Sequence, residues 1–299
     1  MTRRGLLLFI AMCVIWGIPY LLIRVAVGPH GVSPATLVFL RTGIAALILM
    51  PIVIARGGLR GIGRQWLPLL AFAAVEIAIP WLLLSSAEQR ISSSLAGLLI
   101  SAVPLVGTLI APLFGNRDWI GATGVGGLLL GLAGVGAIVG FDLKASDPGA
   151  LAEMAGVAVT YAIGPAILSR YLTRVPSVSV IGISLTVCAL GYLPVAVLQR
   201  PGSIPGLEVL ASVAVLAVIC TALAFLLFFA LIAEVGPVRA TVITYVNPAV
   251  AALLGVAVLH ESFTAGMGIG FVLVLVGSTL ATRRRAVSRQ VAPAAQAAR

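Results

Sequence analysis

Two charged residues lie deep inside long apolar runs of the chain, where a charged side chain is costly. Glu76 lies near the middle of the run 66–87, and Arg41 lies in the first half of the run 34–54. A charge at the centre of a membrane-spanning helix costs at least about 2.5–3.5 kcal/mol, so it needs a partner or a water-filled cavity. We expect Glu76 to face a central cavity, where it could carry a coupled proton or bind a substrate amine. The alternative is a structural ion pair or a polar residue that only lines water.

Arg41 is the candidate partner of Glu76. The loop between the two runs connects the end of the first to the start of the second. At a rise of about 1.5 Å per residue, each residue lies roughly 15–20 Å from the end of its run that this loop joins. An ion pair between the two adjacent helices is therefore possible, and Arg41 is expected to take part in coupling together with Glu76.

Aromatic residues in several runs supply candidate walls for a binding pocket. Such pockets are mostly apolar with a few polar groups, and aromatic rings suit aromatic or cationic ligands. The alternative is that tryptophan and tyrosine near the ends of a run anchor it at the membrane surface. This alternative fits Trp66 and Trp119 best. The candidate wall residues are Trp16, Tyr20, Trp81, Tyr161 and Phe228.

Two prolines interrupt apolar runs at matching positions. Pro104 and Pro248 each lack a backbone donor and are expected to break or loosen their helices. Freed carbonyls can then line a cavity, and interrupted helices often mark the binding site of a transport protein. Ser101, Tyr245 and Asn247 are therefore further candidates for binding a substrate. A kink that serves packing alone is the alternative.

Other chemistry is poorly supported by the residues present. The single lysine, Lys144, does not follow a glycine, so the chain has no nucleotide-binding P-loop. Its three cysteines are far apart without CxxC spacing, and its two histidines have no partner at metal-ligand spacing. No cluster of catalytic groups is apparent. We expect no catalytic residues, no metal and no cofactor.

Composition indicates that the elements which position these residues are membrane helices. The chain has 299 residues, of which 61% are hydrophobic and 9% charged, and its mean hydropathy is +1.17. A soluble domain carries about 25% charged residues, so an ordinary soluble fold is excluded. The apolar runs are continuous, which argues against a membrane β-barrel. Ten runs are each long enough to span a bilayer: 5–27, 34–54, 66–87, 91–113, 119–139, 149–171, 178–198, 207–232, 238–258 and 264–281.

The distribution of basic residues predicts the orientation of these helices. With the N-terminus in the cytoplasm, 14 arginines fall on the inner side, and three basic residues fall outside. This bias predicts that both termini are cytoplasmic. The net charge of +10 follows from these loops, so nucleic acid is not an expected partner. Residues 283–299 are expected to form a basic cytoplasmic tail that contacts anionic lipid.

The two halves of the chain resemble each other. Residues 1–140 and 149–282 each hold five predicted helices, and five is odd, so the second half would enter the membrane from the opposite side. Such inverted repeats are typical of secondary transporters. The matched residues are Pro19 with Pro165, Arg24 with Arg170, Pro104 with Pro248, Gly124 with Gly268 and Gly126 with Gly270.

Glycines at GxxxG spacing occur in the last helix of each half. The pairs are Gly127 with Gly131, Gly136 with Gly140 and Gly266 with Gly270. Small faces of this kind let helices pack closely in a membrane. They predict packing within the chain or a homodimer.

Several short motifs resemble the ten-helix EamA-type branch of the drug/metabolite transporter superfamily. Their order and spacing together carry the resemblance over about 5–281. The first half departs from the family pattern, since Asn116-Arg117-Asp118 stands where Gly-Glu is more frequent. The motifs are Trp16-Gly17, Phe39-Leu40-Arg41, the prolines of the fourth and ninth helices, Tyr245-Val246-Asn247-Pro248 and Leu259-His260-Glu261.

This resemblance implies an all-α polytopic membrane protein of two inverted five-helix repeats in a bacterial inner membrane. The implied function is secondary transport, with export of amino acids, related metabolites or drugs by alternating access at a mid-membrane cavity. Its expected partners are a small-molecule substrate and the lipid bilayer, with proton coupling through Glu76 or simple facilitated flow. A polytopic membrane enzyme, or a receptor without transport activity, is the alternative.

Overall fold

A computed structural model describes residues 1–60, 62–114, 121–140 and 147–282. Four parts of the sequence named above lie outside these residues: the Asn116-Arg117-Asp118 motif, Trp119, Lys144 and the basic tail 283–299. Every regular element in the described part of the chain is helical. The prediction of an all-α protein is confirmed to this extent.

Nine helical segments of the described chain are long and apolar enough to cross a membrane. A shorter apolar helix, Ile243–Leu259, lies between the last two of them and, with Pro237–Ala240 before it, forms span 9. Their positions agree with the predicted runs to within a few residues. We number the others in chain order: Arg3–Ala26 (span 1), Pro34–Ala55 (2), Trp66–Ala87 (3), Ser93–Phe114 (4), Ala122–Gly140 (5), Pro148–Tyr171 (6), Ser177–Leu198 (7), Leu207–Val235 (8) and Ala265–Thr282 (10).

Side-chain caps fix the starts of several spans. The side chains of Thr2, Ser33 and Ser92 each accept a hydrogen bond from a backbone N–H in the first turn of spans 1, 2 and 4. Asp147 does the same for span 6, and the N–H of Ala150, with Arg90 nearby, lowers the pKa of this exposed carboxyl. Each cap stabilises its helix by about 1 kcal/mol.

Five spans are interrupted, four of them near their middle and span 9 near its start. Span 1 breaks between Arg3–Ile15 and Pro19–Ala26, and span 4 breaks between Ser93–Ile100 and Val103–Ile110 before ending in the 3₁₀ turn Ala111–Phe114. Span 9 breaks between Pro237–Ala240 and Ile243–Leu259.

Spans 3 and 8 are interrupted differently, by widened π turns. In span 3 the π turn Ala74–Ala78 separates Trp66–Ala73 from Ile79–Ala87. In span 8 the π turn Val218–Leu223 separates Leu207–Ala217 from Ala224–Val235. Spans 2, 5, 6, 7 and 10 are continuous helices.

The predicted break at Pro248 requires a correction. Pro248 lies inside the helix Ile243–Leu259, and the interruption of span 9 falls earlier, at Thr241 and Val242. A proline can stay in a helix when only one backbone bond, to the carbonyl four residues before it, is lost. Pro104, in contrast, lies in the first turn after the break of span 4, where a proline needs no donor.

The spans pack in specific pairs: 5 with 10, 2 with 7, 4 with 9, 3 with 6 and 1 with 8. Glycines permit the closest pair, which is 5 with 10. A Cβ on Gly134 would lie 2.7 Å from the carbonyl oxygen of Gly270, and one on Gly277 would lie 2.4 Å from the nitrogen of Gly131. These faces are therefore used within the chain, and a homodimer through the remaining glycines stays a prediction.

Candidate functional site

Arg41 is buried among polar and aromatic groups from other spans, with only 7% of its surface exposed. Its Nε donates a hydrogen bond to Oγ1 of Thr221 over 2.9 Å. The guanidinium carbon lies 3.7 Å from the centre of the Trp81 ring, so one face of the cation rests on the indole. Arg41 thus joins span 2 to spans 3 and 8.

The π turn of span 8 orients Thr221. The hydroxyl of Thr221 donates to the carbonyl oxygen of Leu216, five residues earlier, over 2.8 Å. A π turn disturbs the ordinary helical pairing and is frequent at functional sites. Because its proton is used in this way, the Thr221 oxygen presents a lone pair to Arg41.

Two phenols, of which Tyr20 is buried and Tyr161 partly buried, complete the surroundings of the cation. Tyr161 of span 6 and Tyr20 of span 1 are electrostatic neighbours of the guanidinium, as is Cys220. Five spans therefore contribute to one cluster, which we call the Arg41 cluster: Tyr20, Arg41, Trp81, Tyr161 and Thr221.

In the described part of the chain, Arg41 has no counter-ion within 4 Å, although Glu88 is a more distant electrostatic neighbour. Its only hydrogen bond there is the one through Nε. A buried cation without a partner is costly. The two terminal nitrogens of the guanidinium make no hydrogen bond to the described residues.

Among the described residues, Glu76 forms no ion pair with Arg41, although the depths of the two residues made such a pair possible. Glu76 lies in the π turn of span 3 and faces span 6, where its Oε2 is buried and has no hydrogen-bond partner in the described part of the chain. A Cβ built on Gly164 would lie 1.8 Å from that oxygen. The depths of the two residues are compatible with a pair, but their directions are not, because Arg41 is held by Trp81 and Thr221. Tyr161 is an electrostatic neighbour of Glu76.

The remaining predicted residues lie outside this cluster. The ring of Trp16 packs on Phe228, with centroids 4.7 Å apart, and meets the edge of Phe225. Trp16 and Phe228 pack against a separate apolar core of spans 1, 8 and 9. The predicted aromatic wall is therefore two groups, since the structure brings Tyr20, Trp81 and Tyr161 together but not Trp16 and Phe228.

Two of the three polar candidates bind backbone carbonyls and stabilise helices. The amide nitrogen of Asn247, oriented by its surroundings, donates to the carbonyls of Ile243 and Cys13 and so joins span 9 to span 1. The hydroxyl of Ser101 donates to Leu98 within its own span. The third candidate, Tyr245, is half-buried.

A second group of buried polar residues was not among the predicted site residues. Glu261 accepts hydrogen bonds from the N–H groups of Ser93 and Ser94 and from the Ser94 hydroxyl, and thus caps span 4. Glu88, just after span 3 ends at Ala87, is fully buried, and neither carboxylate oxygen has a hydrogen-bond partner among the residues that the structure describes. Burial, and then the charge of Glu261, raise the pKa of Glu88. Arg24 donates to the backbone carbonyl of Glu88.

The polar run around Ser85–Ser94 is the sequence signal for this second group. It stands between two apolar spans, where a loop is the simplest interpretation. For Thr221 the signal is weaker still, a single hydroxyl within the long apolar span 8.

A groove of about 530 Å³ runs between spans 2 and 7. Its lining is almost entirely apolar and includes Phe39, Leu47, Met50 and Leu190, and none of the predicted substrate residues. Leu47 and Leu190 are strongly exposed, so this groove opens to the outer surface of the bundle.

Long apolar helices that bury polar and charged groups between them define a polytopic membrane protein. The chain belongs to the EamA-like transporter family, whose model matches residues 3–140 and again residues 150–283. The resemblance seen in the motifs is thereby confirmed. The family is one of transporters, so the chain is a membrane transporter and not an enzyme.

Named relatives agree with this assignment. The chain is 27% identical over 265 residues to the protein named "Uncharacterized inner membrane transporter YedA" of Escherichia coli (strain K12), with 85% of this chain and 82% of that protein covered. It is 23% identical over 302 residues to "Uncharacterized transporter YvbV" of Bacillus subtilis (strain 168), with 97% and 95% covered.

A solved structure supports the fold. The structure named "Crystal structure of protein" superposes with a TM-score of 0.65 at 23% identity, and the match covers 94% of this chain and 97% of that one.

Proposed function

We propose that the chain is a secondary transporter that exports small metabolites, such as amino acids, related metabolites or drugs, across a bacterial inner membrane. Transport proceeds by alternating access at a mid-membrane site between two inverted five-helix repeats. The observation that carries this proposal is the Arg41 cluster, in which five spans surround a buried cation that has no counter-ion within 4 Å among the described residues. The name of the relative YedA supports the inner membrane as the location.

Interrupted helices support the position of the substrate site. Irregular backbone at membrane depth is tolerated where it lines a cavity or is buried in protein. The π turns of spans 3 and 8 hold Glu76 and Thr221, and the break of span 1 lies just before Tyr20. Breaks in transporter helices commonly surround the substrate.

Three observations support the inverted repeat. The family model matches the chain twice. The π turns of spans 3 and 8 begin 144 residues apart, at Ala74 and Val218, the same separation as Pro104 and Pro248. The packing pairs 2 with 7, 4 with 9 and 5 with 10 each join equivalent spans, as a two-fold axis between the halves requires.

Proton coupling is the energy source that Glu76 favours. Its carboxylate lies against span 6, and one of its oxygens has no hydrogen-bond partner in the described ranges of the chain. A group that binds and releases a proton there could couple transport to the proton gradient. If each proton that enters through Glu76 is exchanged for a substrate that leaves, that gradient would drive export.

Transport in proteoliposomes tests the proposal. The full chain is reconstituted, and uptake and efflux of amino acids and cationic drugs are measured with and without a pH gradient. Protein-dependent movement of at least one compound, which saturates with its concentration, supports the proposed function. If liposomes with the protein and empty liposomes leak every compound at the same rate, the proposal is wrong.

A further inference from the structure

We propose that Arg41 is the receptor for a single carboxylate group of the substrate. This inference rests on the proposed function and names the chemistry that the Arg41 cluster recognises. Most of the guanidinium is already engaged: one face lies on Trp81, Nε is bound to Thr221, and only 7% of the residue is exposed. What is left is the edge with the two terminal nitrogens.

That edge has the shape of a carboxylate site. A guanidinium presents two parallel N–H groups that match the two oxygens of a carboxylate, and such bidentate pairs are among the strongest hydrogen bonds in proteins. In the described part of the chain, no protein acceptor binds this edge. The ligand must therefore bring the acceptor.

The charge of the site selects a monoanion. Arg41 is the one cation of the cluster, and its electrostatic neighbours in the described chain are two phenols, a thiol and Glu88. A single carboxylate neutralises a single guanidinium, whereas a phosphate dianion would leave a buried negative charge without compensation. Tyr20 offers a hydroxyl that makes no hydrogen bond in the described structure and could donate to the same carboxylate.

The geometry of the site also fixes the orientation of Arg41 before a ligand arrives. Stacking on Trp81 and the bond to Thr221 prevent the long side chain from rotating, so little conformational freedom is lost on binding. Lysine would keep the charge but lack both the fork and the Nε–H donor that reaches Thr221.

Binding to the full-length protein in nanodiscs tests the inference without requiring transport. The probes are matched pairs that differ in one group: benzoate and benzamide, and L-phenylalanine and L-phenylalaninamide. Chloride and inorganic phosphate are further probes, which report binding of any free anion. Binding is read from the fluorescence of Trp81 in a variant whose other tryptophans are replaced by phenylalanine, and from the shift of the unfolding temperature.

The acids are expected to bind roughly ten- to hundredfold more tightly than their amides, as a charge-assisted hydrogen-bond pair would provide. Arg41→Gln and Arg41→Lys should remove this preference. Thr221→Val should weaken it, while Thr221→Ser, which keeps the hydroxyl, should preserve it. A merely structural role of Arg41 would lower the unfolding temperature without changing the acid-to-amide ratio.

Several results would overturn the inference. These are equal binding of acids and amides, an acid preference that survives Arg41→Gln in a folded protein, no binding of any probe, or chloride and phosphate competing as well as benzoate. An acid preference that depends on Arg41, in a protein that moves no compound across a membrane, would support the inference and contradict the proposed function.

Discussion

The carboxylate of Glu76 occupies the space that a side chain at position 164 would fill. A Cβ on Gly164 would lie 1.8 Å from Oε2 and 2.9 Å from Cδ of Glu76. The glycine of span 6 therefore sets where the acid of span 3 can lie. A substitution at Gly164 can therefore move the carboxylate without removing it, and a substitution at Glu76 can remove the carboxylate without changing Gly164.

Gly164→Ala is expected to displace the carboxylate while the protein still folds. The atom in the way is the end of a flexible side chain, and alanine in a helix gains up to about 1 kcal/mol over glycine, so the unfolding free energy should change by no more than about that amount. Gradient-driven transport should fall. Gly156→Ala, in the same span and close only to an apolar atom of Leu83, is the matched control. Equal transport by both variants would contradict a role for the position of Glu76.

Glu76→Gln keeps the shape of the side chain and removes its ability to ionise. Transport driven by a pH gradient is expected to fall to the rate measured at equal pH on both sides, while exchange of substrate at equal pH continues. Glu208→Gln, at an exposed acid in the first turn of span 8, should behave like the wild type. Full gradient-driven transport by Glu76→Gln would show that the proton is carried elsewhere.

Glu88 should make the stability of the protein depend on pH. Burial, and then the charge of Glu261, raise its pKa well above the ordinary value of 4.5, against the opposing effects of Arg24 and Arg41. Between the two pKa values, Glu88 holds a proton in the folded state and releases it in the unfolded chain. Its contribution to stability is therefore fully present below pH 4.5 and is lost as the pH rises through the higher pKa of the folded protein.

Glu88→Gln should remove this part of the pH dependence. Unfolding temperatures of both proteins are measured across a pH series in nanodiscs. The values for the variant and the wild type should converge at low pH, and the variant should become more stable than the wild type as the pH rises. Parallel curves for the two proteins would contradict the assignment of a raised pKa to Glu88.

Packing between spans 5 and 10 should tolerate alanine at one glycine and not at another. Gly134→Ala places a Cβ 2.7 Å from a backbone oxygen of Gly270, so the helices must separate, at a cost of about 1–3 kcal/mol. Gly136→Ala meets nothing within 4 Å and should leave the unfolding temperature unchanged or higher. Equal destabilisation by both would show that the spans do not pack through Gly134.

The helical spans are predictable because their signal is long and local. About twenty consecutive apolar residues are needed to cross a membrane, and each run carries that signal by itself. The break near Pro104 is also predictable, since proline removes a backbone donor. The π turns are not, because they add one residue to a helical turn without a characteristic composition, and Ala74–Ala78 resembles the helix around it.

The partners of the candidate site residues depend on contacts that the sequence pattern does not encode. Arg41 and Thr221 are 180 residues apart and meet only after spans 2 and 8 have packed. Glu76 has the depth required to reach Arg41, but the rotation of span 3 about its axis, shifted by the π turn, directs it to Gly164. The depth of a residue in the membrane follows from counting residues along its span, whereas the direction of its side chain follows from how the span packs.

Counterflow across a proteoliposome membrane tests the central claim most directly. Vesicles are loaded with an unlabelled carboxylate substrate found in the binding experiment, and a trace of the labelled compound is added outside at equal pH. Alternating access predicts that the label accumulates transiently above its outside concentration, because each inward step is matched by the exit of an unlabelled molecule. A label that rises only to the outside concentration, or that does not enter at all, would contradict a transporter with one substrate site exposed to each side in turn.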